Sequence, residues 1–293
     1  MYELIQAAER TYYIDCPSKI GVIRTGDDEV CLIDSGNHRD TGKKILRILN
    51  AEGWKLTAIY VTHAHADHIG GNRYLQEQTG CRIFAPGIEC DMTNHPILMP
   101  SLIFGGYPAD NLRHKFLLAQ ESHAELLTPD VLPDGMEIIP LPGHSPDMVG
   151  FRSPDGVVFL GDCLSSRETL DKYQVGYIYD VATYLETLEQ VKAMSAPLFV
   201  PSHAAATDRM AELAQYNIDK VQEIAEKIIS LCAAPIEFDD LLKGIFDGYH
   251  LVMNFEQYAL VGSTLRSYLT WLKDSGRLTA TFENNRLLWE VVM

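Results

Sequence analysis

The arrangement of apolar and polar positions along the chain predicts strands and helices that alternate. Short runs rich in Val, Ile and Phe, typical of buried strands, lie at 30–33, 58–62, 136–141, 157–160 and 198–200. Amphipathic stretches, in which apolar residues recur at helical spacing, lie at 41–52, 71–78, 181–194 and 206–232. Such alternation favours an α/β fold, in which helices cover the faces of a sheet.

Two regions depart from this alternation. Residues 87–128 mix Pro, Met and Phe with polar residues, which predicts an insertion that carries short helices. Long insertions of this kind often form a lid or a partner surface beside a site. Beyond position 232, the spacing of apolar residues predicts helices at 235–246 and 255–273.

The end of the chain predicts a hairpin. Strand-like runs at 277–282 and 286–292 flank the turn-forming residues Asn284 and Asn285. Helices followed by a hairpin resemble a winged helix. The sequence therefore predicts a main domain at 1–230 and a small winged-helix-like α+β domain at 231–293.

Composition and charge exclude some classes of protein. The 293 residues include 46% hydrophobic and 22% charged positions, as in an ordinary soluble protein with ample core. Twenty-four Lys and Arg against forty Asp and Glu give a net charge of −16, which argues against binding to the phosphate backbone of nucleic acid. From position 207 onward, eight basic residues against thirteen acidic ones give −5, so the predicted winged helix has the same bias.

The sequence also predicts a cytoplasmic protein with no membrane partner. The first residues lack the basic stretch and apolar run of a secretory signal. No run approaches the roughly 18 consecutive apolar residues that a membrane span needs. The six cysteines are scattered and form no Cys-x-x-Cys pair, which favours reduced thiols over disulfides.

The segment after the predicted strand at 58–62 carries four side chains able to bind metal. They fall within six residues: His63, His65, Asp67 and His68. In an extended segment alternate residues share a face, so His63 and His65 can bind one cation. The chain then turns, and Asp67 with His68 can point to a neighbouring cation. A lone histidine is more often a surface residue, but this cluster predicts a metal site suited to zinc, manganese or iron.

Further polar residues stand where other apolar runs end. They are Asp34, His144, Asp162 and His203. Ligands of α/β proteins gather beyond the carboxyl ends of the strands, so these side chains are expected to lie near one another. One such residue is weak support, whereas four of them in this order, together with the histidine cluster, favour a single site.

This set of motifs resembles the metallo-β-lactamase superfamily over residues 1–230. The resemblance implies a four-layer αβ/βα sandwich with two metals in a cleft at one edge, and it makes 1–230 the catalytic domain. It implies that the first metal is held by His63, His65 and His144. It implies that the second metal is held by Asp67, His68 and His203, with Asp162 bridging both. Asp34 resembles an aspartate that braces the metal loops without binding metal.

Differences between subfamilies narrow the chemistry that the resemblance implies. β-Lactamases of this fold generally lack an aspartate at the position of Asp162, whereas glyoxalase II-like thioesterases, lactonases, phosphodiesterases and nucleases keep it. Flavodiiron oxygen reductases carry Glu at the position of His65 and add a flavodoxin domain, and this chain has neither feature. Hydrolysis is therefore favoured over redox diiron chemistry.

The sequence thus predicts a dinuclear hydrolase with two divalent metal ions, zinc in the first place and manganese or iron as alternatives. Two cations about 3.5–4 Å apart lower the pKa of a bridging water, which supplies hydroxide near neutral pH. This hydroxide is expected to cleave a small ester, thioester or lactone, with Asp67 or Asp162 moving the proton as catalytic residues. Three tyrosines nearby in sequence are expected to pack rather than to donate to an oxyanion: Tyr173, Tyr177 and Tyr179.

Other functions stay open at this point. A phosphodiesterase or nuclease of the same fold would use the same ligands, and a mononuclear iron oxygenase that resembles the persulfide dioxygenases would use a subset of them. A ligand sensor without turnover would use the C-terminal domain as its output. The acidic balance and the apolar insertion favour a carbonyl substrate. The expected partner is a small-molecule substrate, and a homodimer is a further use for the insertion or the C-terminal domain.

Overall fold

The first β-sheet of the protein contains seven strands that follow one another in chain order. The computed structural model describes residues 2–292. The strands are β1 (Glu3–Gln6), β2 (Thr11–Asp15), β3 (Ile20–Arg24), β4 (Glu29–Ile33), β5 (Lys55–Tyr60), β6 (Arg82–Ala85) and β7 (Ala124–Leu126). β1 to β4 pair antiparallel, and β4 to β7 pair parallel. The carboxyl ends of β4, β5 and β6 therefore open at the same edge of the sheet.

A second sheet of four strands faces the first one. Its strands are β8 (Glu137–Pro140), β9 (Val149–Arg152), β10 (Val158–Gly161) and β11 (Phe199–Pro201), in the spatial order β11-β10-β9-β8. Side chains alternate between the two faces of a strand. In β4, Cys31 and Ile33 therefore pack toward the second sheet, and Val30 and Leu32 pack toward helices. Because both faces of β4 are buried, its sequence is a continuous apolar run.

Helices cover the outer face of each sheet. On the first sheet lie α1 (Arg39–Ala51) and α3 (Asn72–Thr79), with the short α2 (Ala66–Ile69) between them in sequence. On the second sheet lie α7 (Val181–Ala193) and α8 (Ala211–Leu231), preceded by α6 (Arg167–Tyr173). The predicted four-layer αβ/βα sandwich is confirmed. Among the helices of residues 2–292, none is both long and apolar enough to cross a membrane.

The insertion predicted at 87–128 carries short helices, as expected. It contains α4 (Gly87–Asn94), α5 (Leu98–Phe104) and a 3₁₀ turn at Asp110–Leu112. It also supplies β7, which pairs with β6 and ends the first sheet. Met99 and Ile103 of α5 are buried in the core under that sheet, so the insertion is firmly attached to the main fold.

The long helix begins later than the apolar pattern predicts. The pattern starts a helix at position 206, whereas α8 begins at Ala211. Thr207 and Phe199 exchange two backbone hydrogen bonds, of 2.7 and 3.0 Å. This pairing holds the residues before α8 in an extended conformation beside β11, because their backbone groups are already used by the second sheet.

The end of the chain forms two helices and a hairpin. They are α9 (Phe238–Gly248), α10 (Phe255–Asp274), β12 (Leu278–Glu283) and β13 (Arg286–Val291). Asn284 and Asn285 both have positive φ, 50° and 63°, as a two-residue type I′ hairpin turn requires. The fully buried Tyr268 of α10 belongs to the same core as Leu160 of β10. The C-terminal segment therefore shares a core with residues 1–230, while the domain boundary at 230 and the likeness to a winged helix stay predictions.

Candidate metal centre

The predicted site residues lie beyond the carboxyl ends of strands, at the edge where the two sheets meet. β4 leads to Asp34, and β5 leads to the segment 63–68. In the second sheet, β8 leads to His144, β10 to Asp162 and β11 to His203. Their possible ligand atoms form two groups, and the atoms within each group lie within 4.8 Å of one another. The structure thus brings together all seven residues that the sequence nominates as metal ligands.

The first group consists of three imidazoles and one carboxylate. They belong to His63, His65, His144 and Asp162. His65 Nδ1 lies 3.0 Å from His144 Nε2. Asp162 Oδ2 lies 3.7 Å from His144 Nε2 and 4.0 Å from His63 Nε2. Three nitrogens and one oxygen therefore lie close enough together to share one cation, and this donor set is typical of zinc.

The second group consists of two carboxylates and two imidazoles. They belong to Asp67, His68, Asp162 and His203. Asp67 Oδ2 lies 3.0 Å from His203 Nε2 and 3.6 Å from His68 Nε2. Asp162 Oδ1 lies 3.2 Å from His68 Nε2, and Asp162 Oδ2 lies 3.3 Å from His203 Nε2. Asp162 thus belongs to both groups, which is the position that a bridging carboxylate requires.

Backbone carbonyls orient the two histidines that come from the second sheet. His144 Nδ1 donates to the carbonyl of Tyr177 at 3.0 Å, and His203 Nδ1 donates to the carbonyl of Pro17 at 2.9 Å. Each bond places the proton on Nδ1, which leaves Nε2 as the basic nitrogen that faces the centre. Metal-binding histidines commonly have such a partner on the outer nitrogen.

Asp34 orients two histidines of the first sheet. Its Oδ2 accepts a hydrogen bond from His68 Nδ1 at 2.7 Å and another from Thr62 Oγ1 at 2.8 Å. Because the Thr62 hydroxyl donates its proton to Asp34, it accepts from His63 Nδ1, which lies 3.0 Å away. The Thr62 amide donates to Asp34 Oδ1 at 2.8 Å. Asp34 thus braces the metal loop at three atoms and fixes the tautomers of both rings.

Two residues with positive φ allow the chain to pass close to Thr62. Asp34 has φ of 63°, which directs its carboxylate back toward Thr62. Gly161 has φ of 56°, and a Cβ on it would lie 3.2 Å from the Thr62 side chain. Glycine therefore lets the end of β10 turn close beside the histidine segment, which carries Asp162 between the two groups.

The imidazoles of the first group favour their neutral forms. Burial lowers the pKa of His65 to about 3. Burial also lowers the pKa of His63 well below its ordinary value and lowers the pKa of His144. A neutral imidazole is the form that binds a metal, so this group is ready to accept a cation without first losing protons.

The imidazoles of the second group have raised pKa values, in contrast to those of the first group. The Asp162 carboxylate raises the pKa of His203 to about 10. Burial alone would lower the pKa of His68, but Asp162, Asp67 and Asp34 together raise it well above its ordinary value. The carboxylates of this group therefore stabilise positive charge beside them, and a bound divalent cation can supply that charge.

Unpaired buried atoms show that the residues fit a metal. His63 Nε2 is buried and has no hydrogen-bond partner among the described residues, and the buried atoms His68 Nε2 and Asp162 Oδ1 lie 3.2 Å apart without the geometry of a hydrogen bond. Leaving a buried polar group unpaired costs about 1–3 kcal/mol. All three atoms face the interior of the two groups, where a cation coordinated by imidazole and carboxylate would satisfy them.

Glu89 of α4 is a member of the site's surroundings that sequence reasoning missed. Its fully buried carboxylate accepts from the Ala64 amide at 2.8 Å, from Ser145 Oγ at 2.5 Å and from the Asp147 amide at 3.2 Å. Ala64 separates two ligand histidines, and Ser145 follows His144. One carboxylate therefore ties the two loops of the first group together. Its partners lie 25, 56 and 58 positions away, so no local sequence signal reveals it.

Ser18 and the three tyrosines also surround the centre. Ser18, which the sequence did not suggest, donates to Asp67 Oδ2 at 2.8 Å. The Tyr177 ring lies 5.4 Å from the His65 ring and 5.7 Å from the His144 ring, centre to centre. Tyr173 and Tyr179 are partly exposed. The expectation that these tyrosines pack is met by Tyr177, which lies against the imidazoles.

Two cavities of about 100 Å³ or more adjoin the ligand groups, and a third of only about 50 Å³ lies beside His144 and Asp162. A cavity of about 100 Å³ lies beside His65 and Asp67. A wider cleft of about 540 Å³ lies beside Asp67 and His203, and Tyr173 lines its wall. Phe116 lines both cavities. Ligands can therefore approach the groups from two sides that differ greatly in size.

A family model described as "Metallo-beta-lactamase superfamily" matches residues 13–203. That range contains all seven candidate ligands and Asp34, and it covers more than half of the chain.

Curated proteins with similar sequences share parts of the chain. The chain is 23% identical over 225 residues to "Beta-lactamase-like protein 2 homolog" of Drosophila melanogaster, a match that covers 75% of this chain and 66% of that protein. It is 24% identical over 210 residues to "Atrochrysone carboxyl ACP thioesterase" of Aspergillus fumigatus, and this match covers 71% of this chain and 57% of that protein. The chain thus matches less than two thirds of the length of these relatives. A "Hydroxyacylglutathione hydrolase" of Pseudomonas entomophila is 28% identical over 149 residues, which covers 50% and 43%.

Solved structures match the chain over its whole length. A beta-lactamase domain protein from Burkholderia ambifaria superposes with a TM-score of 0.74 at 19% identity, covering 99% of this chain and 94% of that one. A metallo-beta-lactamase family protein from Thermus thermophilus superposes with a TM-score of 0.70 at 16% identity, covering 100% and 98%. The fold described above, including its C-terminal helices and hairpin, therefore recurs in other proteins.

Proposed function

Because the chain belongs to the metallo-beta-lactamase superfamily, we propose that it is a dinuclear metal-dependent hydrolase that cleaves a small ester, thioester or lactone. The family and the cluster of histidines and aspartates together fit a metal-dependent hydrolase. The observation that carries the finer proposal is the shared carboxylate, since Asp162 contributes to both ligand groups. Two four-ligand groups with a common member are suited to a pair of neighbouring cations.

The proposed ligand sets are those of the two groups. His63, His65, His144 and Asp162 would hold one divalent cation, and Asp67, His68, His203 and Asp162 would hold the other, with zinc as the preferred ion. When bound, such a pair lowers the pKa of a water shared between the ions and polarises the carbonyl oxygen of a substrate.

Asp67 is the best placed group to receive a proton. Its side chain is 31% exposed, against 12% for Asp162, and it borders both cavities. When water adds to the carbonyl carbon, Asp67 would accept the released proton and pass it to the leaving oxygen or sulfur. The C–O or C–S bond then breaks, which yields a carboxylic acid and an alcohol or thiol. Ser18, which donates to Asp67 Oδ2, holds the carboxylate in position.

Several observations favour a carbonyl substrate over nucleic acid. Two kinds of relatives are named as a thioesterase and as hydroxyacylglutathione hydrolases. In the C-terminal segment, Arg286 pairs with Glu237 at 2.9 Å, and Arg277 pairs with Glu226. These arginines are thus already neutralised by carboxylates of the same chain and are poorly suited to phosphate contacts.

The free cysteines support the proposed location. All six cysteines lie among the described residues, and all are free thiols. Thiols of this kind persist in a reducing compartment such as the cytoplasm. The proposed partner there is a small-molecule substrate.

Metal content and substrate range together test the proposal. Elemental analysis of protein purified without chelator is expected to find about two metal ions per chain. The same protein should turn over members of a panel of thioesters, lactones and carboxylic esters, lose that activity after treatment with a chelator and regain it with zinc. A protein that holds one iron and consumes oxygen, or that turns over only phosphodiesters from a parallel panel, contradicts the proposal.

A further inference from the structure

The smaller cavity beside the candidate metal centre has an apolar lining. His65 and Asp67 border it, and most of its remaining wall is hydrocarbon. That part of the wall comes from Ala66, Met99, Ile103, Phe116, Leu117 and Leu260, and Tyr177 adds an aromatic ring. A charged group placed there would lose its hydration without gaining a partner, which is unfavourable. The cavity is therefore suited to an uncharged aliphatic group.

The size of the cavity limits the length of that group. An apolar cavity of about 150 Å³ binds benzene, which has six carbon atoms. By this measure the observed cavity of about 100 Å³ accommodates about four carbon atoms. Met99 and Ile103, which line it, are only 3% and 4% exposed. Because these side chains are packed in the core, the wall on their side cannot recede without moving α5, whereas the exposed Phe116 forms an outer part of the wall.

The wider cleft on the other side of Asp67 differs from the smaller cavity in size. Its volume is about 540 Å³, and its wall includes polar groups such as those of His38, Lys115 and His203. A large and partly polar leaving group fits there and does not fit the smaller cavity. The difference in size assigns an orientation to the substrate, with the acyl chain on the His65 side and the leaving group on the His203 side.

On the basis of the proposed hydrolase function, we propose that the substrate is an ester or thioester of a short, uncharged aliphatic acid. Its acyl chain, of about four carbons, occupies the cavity between α5 and α10. The C-terminal segment then contributes to specificity, because Leu260 of α10 forms part of the cavity wall.

A series of esters that share one leaving group and differ in acyl length tests this inference. From acetyl to butanoyl, kcat/KM is expected to rise about fifteenfold, since each buried methylene contributes about 0.8 kcal/mol, or about fourfold. From butanoyl to octanoyl it should fall at least about tenfold, and a succinyl ester should react no faster than the acetyl ester. Lengthening the alcohol at constant acyl length, among alcohols of similar pKa, should change kcat/KM much less.

Variants of the cavity wall make the test specific. Leu260→Ala enlarges the cavity and is expected to move the optimum from butanoyl to hexanoyl, whereas Leu260→Trp should lower the butanoyl-to-acetyl ratio about tenfold. Leu287→Ala, an equal change on an exposed position of β13, should leave the chain-length profile unaltered. Ile103→Val is a milder change on α5, and its chain-length profile tests the cavity if a Leu260 variant does not fold.

The outcomes separate this inference from the proposed function. Turnover with a flat chain-length profile, or selectivity for the length of the leaving group instead, overturns the inference and leaves the hydrolase intact. If no ester reacts, the hydrolase proposal fails, and calorimetric titration with butanoate and octanoate then tests the cavity alone. Tighter binding of butanoate, weakened in Leu260→Trp, supports the cavity assignment, and equal or absent binding of the two acids overturns it.

Discussion

The two ligand groups share a carboxylate but differ in how they are prepared for a cation. The first group has three imidazoles whose pKa values are lowered by burial, among them His65 at about 3. The second group has two imidazoles whose pKa values are raised by neighbouring carboxylates, among them His203 at about 10. A cation can enter the first group directly, whereas it must displace protons from the second. Similar ligand counts therefore do not imply equal affinity.

The groups differ in exposure and bracing as well. The side chains of Asp67 and His203 are each 31% exposed at the wide cleft, whereas His63 is fully buried. Glu89 ties together the two loops of the first group through three hydrogen bonds. We therefore expect the first metal to be held more tightly and the second to exchange more readily.

Removal of the shared carboxylate should weaken both groups at once. Asp162→Ala takes one ligand from each, so the purified protein is expected to hold far less than two metals per chain. Activity should fall at least about a thousandfold, because metal catalysis supplies several kcal/mol of transition-state stabilisation. Metal analysis and kcat/KM on the best substrate check this. Asp27→Ala, on an exposed turn, is the matched control, and retained metal in Asp162→Ala would contradict the bridging role.

Replacing one histidine in each group should show which group holds its metal more tightly. His203→Ala leaves the first group intact, so about one metal per chain is expected to remain. His144→Ala breaks the better prepared group, and clearly less than one metal should remain without added zinc. Both variants should lose about a hundredfold or more in kcat/KM. Elemental analysis compares the metal content of the two variants with that of His123→Ala, a control at an exposed histidine. Equal metal content in the two variants would contradict the expected difference in affinity between the groups.

Asp34 links the two groups from behind, so its replacement should weaken both. Asp34→Asn keeps a side chain that tolerates positive φ but loses the charge that orients His68 and Thr62. Changes in such outer partners typically lower metal affinity 10–100-fold. Titration against a competing chelator measures this, with Asp40→Asn on the surface as the control. An effect on one metal alone would show that the bracing is not shared.

Glu89→Gln should have the smallest effect, confined to the first group. Two oxygens now accept from three donors, and an amide would place its NH₂ group against at least one of them. The affinity for the first metal is expected to fall about tenfold, at the lower end of such effects. Competition titration resolves the two affinities, and Glu121→Gln, an exposed position in the same insertion, is the control. If the second metal weakens equally, Glu89 does not act on the first group.

Much of the centre could be predicted from the sequence because its ligands stand at strand ends. The segment 63–68 carries four ligands in local order, and Asp162 and His203 each follow an apolar run. The α/β class could be predicted from the same runs, and the resemblance of the motifs to a known family implied the four-layer arrangement. The role of Glu89 could not be predicted, because its partners are remote in sequence. The start of α8 could not be predicted either, because the backbone of Thr207 is hydrogen-bonded to Phe199 in the second sheet. Both features depend on hydrogen bonds between residues that are far apart in sequence.

The position of α10 has a consequence for synthesis of the chain. Ala259 packs into the core under the first sheet, and Tyr268 packs into the core of the second sheet. On the ribosome, both sheets leave the exit tunnel before this helix does, because domains emerge from the N-terminus. The apolar surfaces that α10 covers therefore stay open to water, to chaperones or to other nascent chains until α10 itself has left the tunnel.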